Sequence, residues 1–243
     1  AFPGSVDFVQ WDGQTLESHG SIIENTDAIV NLAGESLASG LWTTARKQRI
    51  LRSRLMAGRA VTEAVARARR KPQIVVQASA IGYYGFADDT VLEETAPPGS
   101  DWLADVAVHW EASTAEVARY DVRHVIIRSG LVLSPRGGVL ARMMLPFRLR
   151  VGGPLGTGQQ PISWIHIADE VSAIRSLIEQ PEGRATYREV YDHYALNSQG
   201  ISFSALARWG RYVRLLARNK RINDLAKIVE GKDLSESNSA LIR

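Results

Sequence analysis

The chain predicts an α/β protein built on a doubly wound parallel sheet. Two strand-to-loop junctions, and the strand–helix alternation that links them, carry that expectation. Ile74-Val75-Val76 is a short β-branched run that opens into Gln77-Ala-Ser-Ala-Ile-Gly-Tyr-Tyr-Gly85, and Ala28-Ile-Val-Asn-Leu-Ala-Gly34 has the same design earlier in the chain. A short apolar run bounded by small residues reads as a buried parallel strand. In open α/β sheets ligands bind beyond the carboxyl ends of the strands, so both junctions are candidate site loops.

Taken in order, Val6-Asp-Phe-Val-Gln-Trp11 alternates like a strand, and Asp12-Gly13 supplies a turn after it. Ile29-Val30 is the next strand. From Trp42 to Arg69 the pattern is helical, with Ile50, Leu51, Leu55, Val61 and Val65 spaced toward one face. Lys71-Pro72 ends that helix, because proline cannot continue the hydrogen-bond ladder. The strand Ile74–Val76 follows, then an acidic loop with Pro97-Pro98-Gly99, and Asp101 is placed to cap a helix running to Ala118. Val122 to Arg128 is a further strand. Gly137-Gly138 interrupts the chain before an apolar helix over Leu140 to Leu149. The glycine-dense loop Gly152 to Gly158 has two readings, a tight crossover needing positive φ or a phosphate cradle, although it matches no nucleotide fingerprint. Asp169 is placed to cap a helix through Ile178. From Tyr187 onward the periodicity fades. There is no internal repeat and no low-complexity tract.

The 243 residues allow one substantial core, or one core plus a small lobe, and 45% hydrophobic with 23% charged residues is ordinary for a globular chain. The apolar runs fall short of the roughly 20 residues a membrane-spanning helix needs. No signal-peptide pattern opens the chain. Cysteine is absent, which excludes disulfides and thiolate metal sites. Histidines and carboxylates lack metal-ligand spacing, so no metal site is expected. A Gly-x-Ser-x-Gly elbow is also absent, which argues against a serine hydrolase. The start at Ala1 fits a removed leader, a trimmed start or an unrecorded beginning. Net charge is only +3, yet Trp42 to Lys71 holds ten lysines and arginines against Glu63 alone, while Gly82 to Asp121 is acidic with Arg119 its one cation. A solvated helix face and an anionic ligand or acidic partner both fit this segregation. Aromatics do not interleave with the basic residues, so nucleic-acid binding is not expected.

Several segments together resemble the short-chain dehydrogenase/reductase superfamily, and within it the atypical epimerase-like branch (NAD-dependent epimerase/dehydratase, cell-division-inhibitor-like). They are Asn31-Leu-Ala-Gly34 with Glu35-Ser36, Ser53-Arg54, Ala78 to Gly85, Glu94-Thr95, Trp110-Glu111 and Ile127-Arg-Ser-Gly-Leu-Val-Leu133. Further on lie Gly137-Gly138, Leu145-Pro-Phe-Arg148, Gly152 to Gly156 and Ser163-Trp-Ile-His-Ile167. The resemblance is dense from Asp27 to Ile178. It implies an incomplete Rossmann-like core over residues 1–185 and a small α-rich, substrate-lobe-like segment over residues 186–243. It also implies NADP(H) as cofactor and oxidoreductase or epimerase chemistry.

Hydride transfer needs a nicotinamide held by its pyrophosphate and a proton donor near the substrate oxygen. The superfamily seats the pyrophosphate on a glycine-rich turn after its first strand. This sequence contains no such turn, and by resemblance Val6–Trp11 corresponds to a later point in the domain. A core without its leading strand would leave a sheet edge for a protein partner or a rearranged terminus to cover. The superfamily's Tyr-x-x-x-Lys pair is also absent. Aligned on Glu111, its places hold Leu103 and Ala107, as in the atypical branch.

The resemblance then leaves a partial site. Ser79 takes the place of the substrate-orienting serine, or serves as a strand-end cap. Tyr83 is the more plausible surrogate acid, while Tyr84 packs. Asn31, Ala33 and Gly34 match the loop beside the cofactor ribose, and Arg128 either meets a phosphate or pairs with an acid. The catalytic candidates are therefore Ser79 and Tyr83, and the cofactor-binding candidates are Asn31, Ala33, Gly34, Ser79 and Arg128. His166 reads as a satisfied core histidine or a ligand, and His109 as exposed on a helix. Two functions are open: an enzyme with weak or absent turnover in this chain, or a non-catalytic subunit of a larger organellar assembly. A sequence pI of 9.3 and the missing initiator methionine favour a mitochondrion or plastid over the cytoplasm.

Overall fold

The strands and helices come from a computed structural model that describes residues 6–16, 20–86, 92–134, 137–153 and 163–179. The expectations for Gly82–Gly158 that fall on 87–91, 135–136 and 154–162, and all those from residue 180 onward, lie outside the described residues. The described residues fall into two compact units, one within residues 6–129 with 174–179, the other within 130–173.

In the first unit the elements are α1 (Gly20–Glu24), β1 (Ala28–Asn31), α2 (Thr44–Arg67), β2 (Ile74–Ala80), α3 (Trp102–Ala112) and β3 (Arg123–Ser129). The sheet has the order β1-β2-β3, all parallel, with Ala28 opposite Ile74 and Ser79 opposite Arg128. This is the expected parallel architecture with flanking helices. The core is built of β-branched residues: Val61 and Val65 of α2, Val75 of β2, and Val117 and Val122 just before β3. Side chains alternate along a strand, so Val75, Gln77 and Ser79 share the face that α2 and α3 cover.

Several element ends differ from the sequence expectation for local reasons. Residues 6–12 form no strand, and Val6, Phe8 and Val9 stay exposed. The segment ends in a self-contained turn: Asp12 Oδ1 accepts from the Gln14 and Thr15 amides, Gly13 sits at φ +76°, and Trp11 Nε1 donates to the Thr15 carbonyl. α2 opens on Thr43, whose hydroxyl oxygen accepts from the Arg46 amide, and it ends ahead of Pro72. Lys71 reaches back to donate to the carbonyls of Val65, Ala66 and Ala68, a cation on the negative end of the helix. Glu24 accepts from the amides of Arg69 and Arg70, which hold its carboxyl below the usual range.

α3 starts as expected, with Asp101 Oδ1 accepting from the amides of Leu103 and Ala104. It stops at Ala112 rather than Ala118. The Ser113 hydroxyl donates to the Trp110 carbonyl and that of Thr114 to Glu111, so two side chains compete with the helical ladder. A 3-10 turn, Ala115–Tyr120, completes the descent and closes on Asp121 at φ +59°. The break also lets Ser113 pack against Gly58 of α2, where an added Cβ would fall 2.7 Å from the Ser113 Cβ.

The second unit holds β4 (Leu131–Leu133), α4 (Gly138–Arg148) and β5 (Trp164–His166), and α5 (Ile167–Glu179) begins in it. β4 and β5 pair in parallel, Leu131 opposite Trp164. α5 starts earlier than Asp169 would set it. His166 Nδ1 accepts from the Ala168 amide at 3.2 Å, and Asp169 falls inside the first turn, where its charge suits the helix dipole.

Two consequences are measurable. Replacing Gly58 by alanine gains helix propensity of about 1 kcal/mol but forces Ser113 apart, for a net loss of roughly 1–2 kcal/mol in urea unfolding. A second change, Ser113→Gly, should recover most of it. His124 of β3 lies 3.0 Å from the Thr114 hydroxyl, and burial lowers its pKa, partly opposed by the Glu111 charge. The unfolded chain therefore takes up this proton first as pH falls. The His124 contribution to stability should be complete above about pH 6.5, the ordinary histidine value, and should decline as pH falls through the lower native pKa. His124→Asn should flatten that part of the stability–pH curve.

Candidate functional site

The site lies where β1, β2 and β3 end. Parallel register puts paired residues on one face, and two polar pairs follow from it. Asn31 Nδ2 donates to Gln77 Oε1 at 2.8 Å, and Gln77, fully buried, returns its own amide to the Ala78 carbonyl. Ser79 and Arg128 both turn to Glu111 on α3. The Ser79 hydroxyl donates to Glu111 Oε1 at 2.6 Å, while Arg128 Nε and Nη2 donate to Oε1 and Oε2 at 2.8 and 2.9 Å.

Arg128 also organises the loop beyond β2. Its Nη1 donates to the Tyr84 hydroxyl oxygen at 2.9 Å and to the Glu94 carbonyl at 3.0 Å. Its guanidinium lies 3.5 Å from the centre of the Tyr83 ring. The hydrogen bond to Glu111, with smaller help from Tyr84, pushes its pKa above the ordinary arginine value against the cost of burial. The loop is pinned a second time where Gly85, at φ +71°, meets Gly99: the Gly99 amide donates to the Tyr83 carbonyl at 2.8 Å, and a Cβ on Gly99 would fall 2.6 Å from the Gly85 Cα.

At the end of β1 the loop from Leu32 is held from beneath by α2. The Ala33 amide donates to Asn31 Oδ1. Ser53 Oγ accepts from the Glu35 amide at 2.9 Å, and Arg54 Nη1 donates to the Glu35 carbonyl at 3.1 Å. The Glu35 carboxylate lies 3.5 Å from Arg49 and 3.9 Å from Arg46, and Arg46 Nη2 donates to the Ser36 carbonyl and the Ser39 hydroxyl. Leu32 and Gly34 remain exposed.

Of the residues expected from sequence, the structure brings Ser79, Tyr83 and Arg128 into one cluster and places Asn31, Ala33 and Gly34 on the neighbouring loop. Of the two readings of Arg128, the pairing with an acid is the one observed. Ser79 spends its only proton on Glu111. His109 is exposed beside Asp105, and His166 is half-buried at the start of α5. Among the described residues, no group of histidine and carboxylate side chains could hold a metal ion, and no helix is long and apolar enough to cross a membrane. The sequence reading assigned no role to Glu111, Gln77 or Glu35. The available signal was a lone polar residue in an apolar setting, Glu111 after Val106-Ala-Val-His-Trp110 and Gln77 after Ile74-Val-Val76, since polar groups buried in such runs need partners.

Glu111→Ala strands Arg128 in a mostly buried place and should lower stability by about 3 kcal/mol. Ser79→Ala leaves the ion pair whole and should cost about 1 kcal/mol. Chemical denaturation of the two variants checks the ranking, and equal losses would contradict it.

The family model described as "NAD dependent epimerase/dehydratase family" matches residues 5–192. An epimerase family protein of Mycobacterium bovis is 37% identical over 179 residues, 74% of this chain and 59% of that protein. A chloroplastic SDR39U1 homologue of Arabidopsis thaliana is 40% identical over 161 residues, 65% of this chain and 46% of that protein. The chain thus spans about half to three-fifths of the length of the curated relatives it matches. Among solved structures, the human epimerase family protein SDR39U1 (isoform 2) with NADPH superposes with a TM-score of 0.58 at 30% identity, covering 66% of this chain and 57% of that one. A nucleoside-diphosphate sugar epimerase from Corynebacterium glutamicum gives 0.56 at 32% identity, covering 65% of this chain and 33% of that one. With a parallel sheet whose strand ends carry the Asn31–Gly34 and Ser79–Tyr84 loops, the chain belongs to the NAD-dependent epimerase/dehydratase family of short-chain dehydrogenase/reductase proteins.

Proposed function

We propose that this chain binds NADP(H) along the Asn31–Gly34 loop and the end of β2, and that it turns substrate over weakly or not at all. The cofactor half is supported by the NADPH-bound human relative and by the exposed Leu32 and Gly34 just beyond the carboxyl end of a parallel strand. At Gly34 an added Cβ would come 3.1 Å from the Arg54 side chain, a close contact that would push the guanidinium aside by a few tenths of an ångström. Asn31, Ala33 and Gly34 are the residues that would lie beside the ribose. When bound, the nicotinamide supplies a hydride.

One observation carries the second half. The α3 places that the superfamily gives to its tyrosine and lysine hold Leu103, packed against Gly82, and Ala107, buried at 3% exposure. Proton exchange with a substrate oxygen needs an acid within hydrogen-bond reach. Among the strand-end hydroxyls, Ser79 already donates to Glu111, the Tyr83 ring lies against Arg128, and Tyr84 accepts from Arg128. These side chains hold the loop together, and none has the superfamily's relay beside it.

A second reading, a non-catalytic subunit, is favoured by the exposed Phe8 (94%) near Val6 and Val9, which would be buried in an assembly. On this reading an organelle, plastid or mitochondrion, is the proposed location, in keeping with the chloroplastic relative. Residues 186–243 stay assigned, as a proposal, to a substrate-lobe-like segment.

Titration with NADPH should give a saturable rise in nicotinamide fluorescence, with no carbonyl-dependent NADPH oxidation above background. Absence of the fluorescence change removes the cofactor half, and measurable oxidation that persists when Tyr83 and Ser79 are intact but disappears on changing both removes the other.

A further inference from the structure

The Ser53-Arg54 pair takes no part in the function proposed above, yet it makes the most specific contacts in the β1–α2 region. The two residues hold both backbone polar groups of Glu35, the serine oxygen taking its N–H and the guanidinium giving to its C=O. Arg54 Nη1 also donates to the Ile50 carbonyl at 3.0 Å, and the guanidinium lies 4.8 Å from the centre of the Trp110 ring. Its other side meets Gly34: a Cβ there would sit 3.1 Å from both Cγ and Cζ. Arg54 is only 7% exposed, and no carboxylate lies within ion-pair distance of it among the described residues. Burial lowers its pKa, and only the more distant Glu35 charge opposes this. A buried cation without a bonded acid is costly as a packing element. A planar guanidinium does, however, fit between an indole face and a flat glycine peptide, with donors left for carbonyls.

We propose that Arg54 is a positioning residue, pressing the Gly34–Glu35 peptide into the shape that presents Ala33 and Gly34 to the cofactor ribose. It touches neither cofactor nor substrate and acts through Gly34. The assignment rests on the NADP(H) binding proposed above.

The test is NADPH fluorescence titration of the full chain and of Arg54→Ala, Gly34→Ala and the double variant. Each single change should weaken binding about tenfold, the order of losing one net polar contact. The double variant should bind no more weakly than either single one, because both changes break one contact. Guanidinium ion at sub-denaturing concentration should restore affinity to Arg54→Ala and not to Gly34→Ala, a rescue that a general loss of stability would not show. Arg54→Lys keeps the charge and most of the stem should the alanine variant fail to fold, and it should weaken binding as well, because an ammonium cannot lie flat against the indole. Unchanged affinity in Arg54→Lys or Arg54→Ala, or additive losses in the double variant, overturns the positioning role while leaving cofactor binding intact. Failure of the unmodified chain to bind NADPH overturns the cofactor reading, and the positioning role with it.

Discussion

The ion pair between Glu111 and Arg128 is the constraint on which the strand-end region depends. Taking two charges out of water is expensive, and their attraction offsets that cost only when the remaining donors and acceptors are also met. Here they are met. Glu111 receives Ser79 and the Nε–Nη2 edge of the guanidinium, and Arg128 spends its third nitrogen on Tyr84 and on the Glu94 carbonyl. One side chain from a helix thereby ties together the ends of two strands and both sides of a loop. The aromatic faces of Tyr83 and Tyr84 close around the guanidinium and limit its access to water.

The same arrangement bears on chemistry. A hydroxyl and a cation at the carboxyl ends of parallel strands are the ingredients of a proton relay, and both are present. They are joined to a buried carboxylate instead of to each other across a substrate. The helix that would supply a tyrosine and a lysine presents Leu103 and Ala107, which serve packing. The β1 loop is built differently. Leu32 and Gly34 face solvent, and α2 holds the loop at Glu35 and Ser36 through Ser53, Arg54 and Arg46. A rigid floor under an open loop suits binding, whereas a saturated polar cluster suits structure. The two halves of the strand-end region therefore differ in what they can do.

Much of the first unit was legible in residue order. β1, α2, β2 and β3 follow from apolar runs and helical spacing, and Asp101 was readable as a cap because an acidic side chain before a helix meets free amides. Val6–Trp11 misled, since alternation is necessary for a half-buried strand but a partner strand decides whether one forms. The end of α3 misled for a related reason: periodicity continues to Ala118, but the hydroxyls of Ser113 and Thr114 outcompete it. In the site, Ser79, Tyr83 and Arg128 were readable as a group through family resemblance, whereas Glu111, which joins two of them, sits far from both in sequence.

By itself the sequence determined the parallel α/β class, the family, the segregation of charge and the lack of cysteine and of a Tyr-x-x-x-Lys pair in these 243 residues, because these depend on residue type and short spacing. Only the tertiary structure decided that Ser79 gives its proton to Glu111, that Arg128 pairs with an acid, and that Arg54 lies beneath Gly34. Those outcomes depend on strand register and on where α3 and α2 cross the sheet, and a linear chain does not state which of its distant polar residues will meet once water is excluded.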